Sequence, residues 1–347
     1  MKTYKVLIVD DSELIRQLLT EIISKAPDLT VVGVASDPFD AREKIKALNP
    51  DVITLDVEMP KMDGISFLKN LMRLRPMPVV MISTLTAKGA PVTLDALEIG
   101  AVDYVCKPQG GAWADLAQYA GLIQEKVRAA AQANMGGHDA HRKVSAPATL
   151  NGEDRFKTGK VICIGSSTGG TEALKEVLRV MPKNCPPILM AQHIPAAFSG
   201  TFAARLNDTM PIEVYEAKAG MPLKAGCAYL APGDRHLRIV KRDNKLVTAL
   251  LDGEKVNGHI PSVDVLFDSA IEHVGKYCVG AVLTGMGVDG AAGLRRMRDA
   301  KGHTIAQDEA TSVVWGMPGA AVSMGAAVDV LPISKIGNAL LDACKIS

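Results

Sequence analysis

The sequence predicts an α/β protein built from two wound, mostly parallel sheets, and three observations carry that prediction. Short β-branched runs recur along the 347 residues, and stretches of helical period separate them. Aromatic residues make up only 4% of the chain, so its cores are aliphatic, as suits sheets buried on both faces. At about 150 residues per domain the length implies two domains.

The first region, residues 1–125, opens with the strand Val6-Leu7-Ile8-Val9. Leu14, Ile15, Leu18, Leu19, Ile22 and Ile23 then recur at three- and four-residue spacing, which is one apolar helix face. Val31-Val32-Gly33-Val34, Val52-Ile53-Thr54-Leu55, Val79-Val80-Met81-Ile82 and Tyr104-Val105 supply the remaining strands. Residues 126–157 are small, polar and broken by Gly and Pro, so they are expected to form a linker, helical at its start. His138 and His141 within it stand at a metal-binding spacing, but a Gly-Gly pair precedes them, and they are expected to be solvated. Residues 158–347 repeat the pattern with Val161 to Ile164, Ile188 to Ala191, Val279 to Leu283 and Thr304 to Ala306. Between these, residues 213–251 resemble short strands and turns and are expected to form an antiparallel excursion.

Composition excludes several functions. Lys and Arg total 39 against 38 Asp and Glu, so the basic excess of a nucleic-acid binder is missing. The six cysteines stand far apart with no C-x-x-C pair, which argues against both a disulfide framework and a cysteine zinc site. No apolar run approaches the roughly 18 residues of a membrane span, and the expected location is the cytoplasm.

Ligands of a wound parallel sheet sit beyond the carboxyl ends of its strands. There the first region places Asp10 and Asp11, then Asp56, then Ser83 and Thr84, then Lys107. Converging carboxylates are costly without a cation, and hard oxygen ligands suit Mg²⁺. A lysine and a hydroxyl beside them suit a phosphoryl group. Val9-Asp10-Asp11-Ser12, the run from Leu55 to Gly64, Ser83 and Lys107-Pro108 together resemble the receiver domain of two-component response regulators, a doubly wound, flavodoxin-like fold. The resemblance implies that Asp56 accepts a phosphoryl group from a chemotaxis histidine kinase. It also implies that Asp10, Asp11, Asp56 and the Glu58 backbone carbonyl hold Mg²⁺, and that Ser83 and Lys107 contact the phosphoryl oxygens.

In the second region, Val161 to Ile164 run into Gly165-Ser166-Ser167-Thr168-Gly169, which fits G-x-S-x-G, a strand-to-helix elbow that exposes a serine. The same glycine-rich turn also suits a phosphate cradle, and this segment alone leaves the two readings even. A serine nucleophile needs a base. His193 ends a strand at the same rim, His236 after the turn signal Pro232-Gly233-Asp234 is the rival, His259 and His273 fall in a loop and on a helix pattern, and His303 begins a strand at the opposite edge. The triad also needs an acid: Asp289, in the glycine-dense loop after Val279 to Leu283, is one candidate, although it equally suits an N-cap of the next helix, and Asp308 is a second.

Gly165 to Ala173, Gln192 to Pro195, Leu230 to Asp234, Leu283 to Ala291 and Val314 to Pro318 resemble the bacterial chemotaxis methylesterase catalytic domain. With a receiver in front, the whole chain resembles the protein-glutamate methylesterases that are also protein-glutamine glutaminases. That resemblance implies a Ser167, His193, Asp289 triad that needs no cofactor. It places the Met286 and Thr168 backbone N–H groups in the oxyanion hole and makes methyl-accepting chemotaxis receptors the substrates. Ser166 stands where the family often has alanine. The rival reading is a receiver-controlled phosphate- or nucleotide-binding module without catalysis.

Overall fold

The structure is a computed structural model that describes residues 2–84, 90–107, 119–136 and 155–346. These fall into two compact units that divide after Met135.

In the first unit, β1 (Tyr4–Val9), β2 (Leu29–Ala35), β3 (Val52–Asp56), β4 (Val79–Thr84) and β5 (Asp103–Lys107) form one sheet in the order β2-β1-β3-β4-β5. Every pairing is parallel. Strand order reverses at β1, which opens a crevice beyond the carboxyl ends of β1 and β3. The expected helix is α1 (Glu13–Ser24), which buries Ile15, Leu19, Ile22 and Ile23. It is followed by α2 (Pro38–Leu48), α3 (Gly64–Leu74), α4 (Ala90–Ile99) and α5 (Ala120–Ala131). Asp37 caps α2 by accepting the Phe39 and Asp40 N–H groups, and Asp63 caps α3 through the Ser66 N–H.

The expected boundary at residue 125 falls inside α5. That helix runs on to Ala131 because Ile123, Val127, Ala129 and Ala130 are all buried. The other end of the expected linker is also displaced. The Lys157 N–H donates to the Cys344 carbonyl, and the Ile346 N–H donates to the Arg155 carbonyl. Residues 155–157 therefore belong to the second unit. His138 and His141 lie outside the described residues.

The second unit carries a seven-stranded sheet, ordered β14-β13-β12-β6-β7-β9-β8. Its strands are β6 (Val161–Ser166), β7 (Ile188–Gln192), β8 (Glu213–Glu216), β9 (Cys227–Leu230), β12 (Cys278–Val282), β13 (His303–Gln307) and β14 (Asp329–Leu331). All six pairings are parallel. The antiparallel expectation for 213–251 holds only for the hairpin of β10 (His236–Arg242) and β11 (Lys245–Leu251). β8 and β9 instead extend the parallel sheet. The misleading signal was β8 itself, whose alternating exposure reflects its place at the sheet edge.

Helices α6 (Gly170–Leu178), α7 (Ala196–Thr209), α8 (Val263–Val274), α9 (Ala291–Asp299), α10 (Met317–Ser323) and α11 (Ile333–Asp342) complete the unit. Val161, Cys163, Leu189, Phe267, Leu294 and Met297 lie in one aliphatic core. Among the described residues no helix is long and apolar enough to cross a membrane.

Candidate active site

β6 lies between β12 and β7 in the second sheet, and the three carboxyl ends deliver Ser167, Asp289 and His193. Ser166 pairs in register with Gln192 across β6 and β7. Ser167 and His193 follow that pair immediately, on strands whose spacing is about 4.8 Å. The His193 N–H donates to the Ser166 carbonyl at 3.0 Å, which extends the ladder to the loop residues themselves.

The two serines have different surroundings. Ser166 is fully buried, and its Oγ donates to Gln192 Oε1 at 2.6 Å. The same Gln192 amide donates through Nε2 to the Ser167 carbonyl at 2.9 Å. Ser167 is half-buried at the head of α6. Gly170 is required at the next turn, because a Cβ there would lie 2.2 Å from Gln192 Oε1. These contacts favour Ser167 as the reactive hydroxyl.

His193 Nε2 lies 2.9 Å from Asp289 Oδ2. Facing an ionised carboxylate, Nε2 carries the proton, and the lone pair is left on Nδ1. Nδ1 is buried and has no hydrogen-bond partner in the structure, so it is the ring atom positioned to take a proton.

Asp289 is fully buried and richly solvated by protein donors. Oδ1 accepts from Asn257 Nδ2 at 3.0 Å and Ser262 Oγ at 2.9 Å, and Oδ2 accepts from the Val263 N–H at 2.7 Å. Burial alone would raise its pKa. The bonds from His193, Asn257 and Val263 outweigh burial and hold the carboxyl well below the usual carboxylate range.

The rivals take other roles. His236 is buried, accepts the Ser262 N–H at Nδ1 and meets the Glu254 carbonyl at Nε2, so both nitrogens are engaged in structure. His303 sits at the start of β13 and pairs with Asp329. Asp308 accepts from the Thr311 N–H and hydroxyl. Thr168 is buried, and Met286 is half-buried in the loop beside Gly285.

The sequence reading passed over Asn257 and Ser262 and set His259 aside as a loop histidine. The His259 ring stacks on His193 with centroids 3.8 Å apart and planes 8° from parallel. An Asn257-Gly258 dipeptide after an apolar residue was the available turn signal.

In the first unit, carboxylate oxygens of Asp10, Asp11 and Asp56 lie within 4.8 Å of one another. Lys107 Nζ lies 2.8 Å from Asp10 Oδ2 and 2.9 Å from Asp56 Oδ2. Burial and the neighbouring Asp10 charge push the Asp56 carboxyl up to about 6, against the pull of Lys107. Burial opposes the Lys107 charge, but the two carboxylates raise its pKa above the ordinary lysine value. Three carboxylates against one ammonium leave two negative charges uncompensated. An all-oxygen donor set with that excess fits a divalent cation such as Mg²⁺. Glu58 is exposed two residues past Asp56, and Ser83 pairs with Cys106 in β4, its side chain lying outside the described residues.

A wound five-stranded unit with an acidic crevice at its switch point, followed by a larger parallel α/β unit, defines a two-component response regulator that carries its own output domain. A family model described as Response regulator receiver domain matches residues 6–114, and one described as CheB methylesterase matches residues 162–340. The protein-glutamate methylesterase/protein-glutamine glutaminase 2 of Saccharophagus degradans is 55% identical over 338 residues, 97% of each chain. The corresponding Escherichia coli O6:H1 protein is 50% identical over 341 residues, covering 98% of this chain and 97% of its own. The crystal structure of the Thermotoga maritima CheB methylesterase catalytic domain superposes with a TM-score of 0.52 at 39% identity, covering 54% of this chain and 99% of that one. The chain belongs to the protein-glutamate methylesterase/protein-glutamine glutaminase family.

Proposed function

We propose that this chain is a phosphorylation-regulated serine hydrolase. It demethylates glutamate methyl esters and deamidates glutamines on methyl-accepting chemotaxis receptors, giving adaptation in bacterial chemotaxis. The observation that carries the proposal is the His193–Asp289 pair, which leaves a buried Nδ1 lone pair on the strand beside Ser167.

His193 Nδ1 takes the Ser167 proton as Oγ attacks the ester carbonyl. Asp289 holds the ring in the required tautomer and balances the imidazolium that forms. Backbone N–H groups of Met286 and Thr168 face the developing oxyanion. Methanol leaves with the proton from His193, and water attacks the acyl-enzyme with His193 again as base. Glutamate is released and Ser167 regains its proton. A glutamine side chain follows the same steps and releases ammonia.

In the receiver unit, Asp56 accepts the phosphoryl group from a chemotaxis histidine kinase, in the cytoplasm. Lys107 and Ser83 then contact the phosphoryl oxygens. Asp10, Asp11, Asp56 and the Glu58 carbonyl would hold Mg²⁺, which supplies charge neutralisation for those oxygens when bound. The triad needs no cofactor, and neither nucleic acid nor membrane insertion enters the reaction.

The test is methanol release from methylated chemoreceptor membranes, with and without a small phosphoryl donor. Hydrolysis is expected to rise with the donor, and that response to vanish in Asp56→Asn. Wild-type turnover in Ser167→Ala would refute the assignment of the nucleophile.

A further inference from the structure

Four residues between β11 and α8 form a tight turn that faces the acid–base pair. Val256 and His259 exchange both backbone hydrogen bonds at 3.0 Å. The central residues Asn257 and Gly258 have φ of 52° and 80°. Positive φ at both positions is the type I′ condition, and Asn-Gly meets it best. The turn therefore has one strongly preferred shape.

It carries two side chains to the site. Asn257 Nδ2 donates to Asp289 Oδ1 and, at 2.7 Å, to Asp264 Oδ2. His259 lays its ring over one face of His193. The hydrogen bond to Asp289 fixes only one end of the His193 ring. Rotation of an imidazole about its Cβ–Cγ bond is broad and weakly restrained on its own. A second restraint on the plane of the ring is needed to hold Nδ1 on a line to Ser167, and the parallel His259 ring supplies it.

We propose that His259 is a positioning residue for the base: its flat ring fixes the plane of the His193 imidazole. This rests on the triad reading given above. Proton transfer depends on alignment, and a misplacement of about 1 Å costs about 100-fold in rate. The polar atoms of His259 are not what the role requires, so a phenyl ring replaces it and a non-aromatic amide does not.

The experiment compares His259→Ala, His259→Gln and His259→Phe in the full chain by methanol release from methylated receptors, with thermal midpoints recorded alongside. Ala and Gln are expected to lower kcat about 10- to 100-fold with KM within about twofold, and Phe to recover to within about threefold of wild type. Wild-type kcat in the Ala variant, a loss confined to KM, or equal activity of Gln and Phe would overturn the proposal. Should the Ala variant fail to fold, the Gln and Phe pair decides alone. Ser167→Ala runs in parallel: if it keeps wild-type turnover, the triad reading fails, whereas if it is inactive, the His259 series tests the stack separately.

Discussion

Replacing Asp289 by Asn is the sharpest perturbation of this site, because the structure dictates how the amide must sit. Oδ1 receives the Asn257, Ser262 and Asp264 N–H donors, while Oδ2 receives the Val263 N–H and the His193 Nε2–H. An amide offers one acceptor and one NH₂ group. With its oxygen in the Oδ1 place, three donors are kept and the NH₂ meets Val263 and His193. Val263 N–H has no other orientation and is left buried without an acceptor, at a cost of about 1–3 kcal/mol. His193 escapes the clash only by moving its proton from Nε2 to Nδ1. The lone pair that should accept the serine proton is then gone. A wrong tautomer of this kind costs about 10⁴ in kcat in the trypsin-like triad. Methanol release from methylated receptors measures the first effect, and urea unfolding of the same variant measures the second. Activity within tenfold of wild type would refute the tautomer argument, even if stability fell as expected.

The depressed Asp289 pKa has a sign that can be checked. A carboxyl held below its unfolded value adds stability above about pH 4, and that contribution drains away as pH falls towards the folded value. Denaturation midpoints of wild type are expected to fall below pH 4 more steeply than those of Asp289→Asn. Ser166→Ala removes the buried bond to Gln192 and is expected to cost about 1 kcal/mol in urea unfolding while leaving a working nucleophile, so its activity stays within a few-fold. Gly64→Ala would place a Cβ 2.0 Å from the Asp56 carbonyl oxygen, and the forced shift is expected to cost about 1–3 kcal/mol and to slow phosphoryl uptake at Asp56. An unaltered melting temperature for that variant would show that α3 does not need its close approach to β3.

Much of the site was legible because its chemistry sits at strand ends. Asp10, Asp56 and Lys107 stand at strand ends of the first sheet and Ser167 and His193 at strand ends of the second, so each parallel sheet brings its own set to its own rim without any knowledge of side-chain packing. Between Ser166 and Ser167, the G-x-S-x-G spacing points to Ser167. The burial of Ser166 against Gln192 adds the packing reason that the sequence does not show. β8 was misjudged because an edge strand of a parallel sheet alternates like an antiparallel one, whereas β9 is an interior strand buried throughout and carries no such signal. Asn257 escaped notice and His259 was set aside as a loop residue because both approach from a turn in a stretch with no strand of its own.

The pairing of Ser166 with Gln192 in the middle of seven strands has a consequence for how such an enzyme fails. Hydroxyl and imidazole are held apart by a rung of the central ladder, so they cannot drift without tearing the heart of the sheet. Peripheral strands such as β14 and β8 can fray first and leave turnover intact. Loss of activity on heating should therefore coincide with collapse of the whole unit rather than precede it.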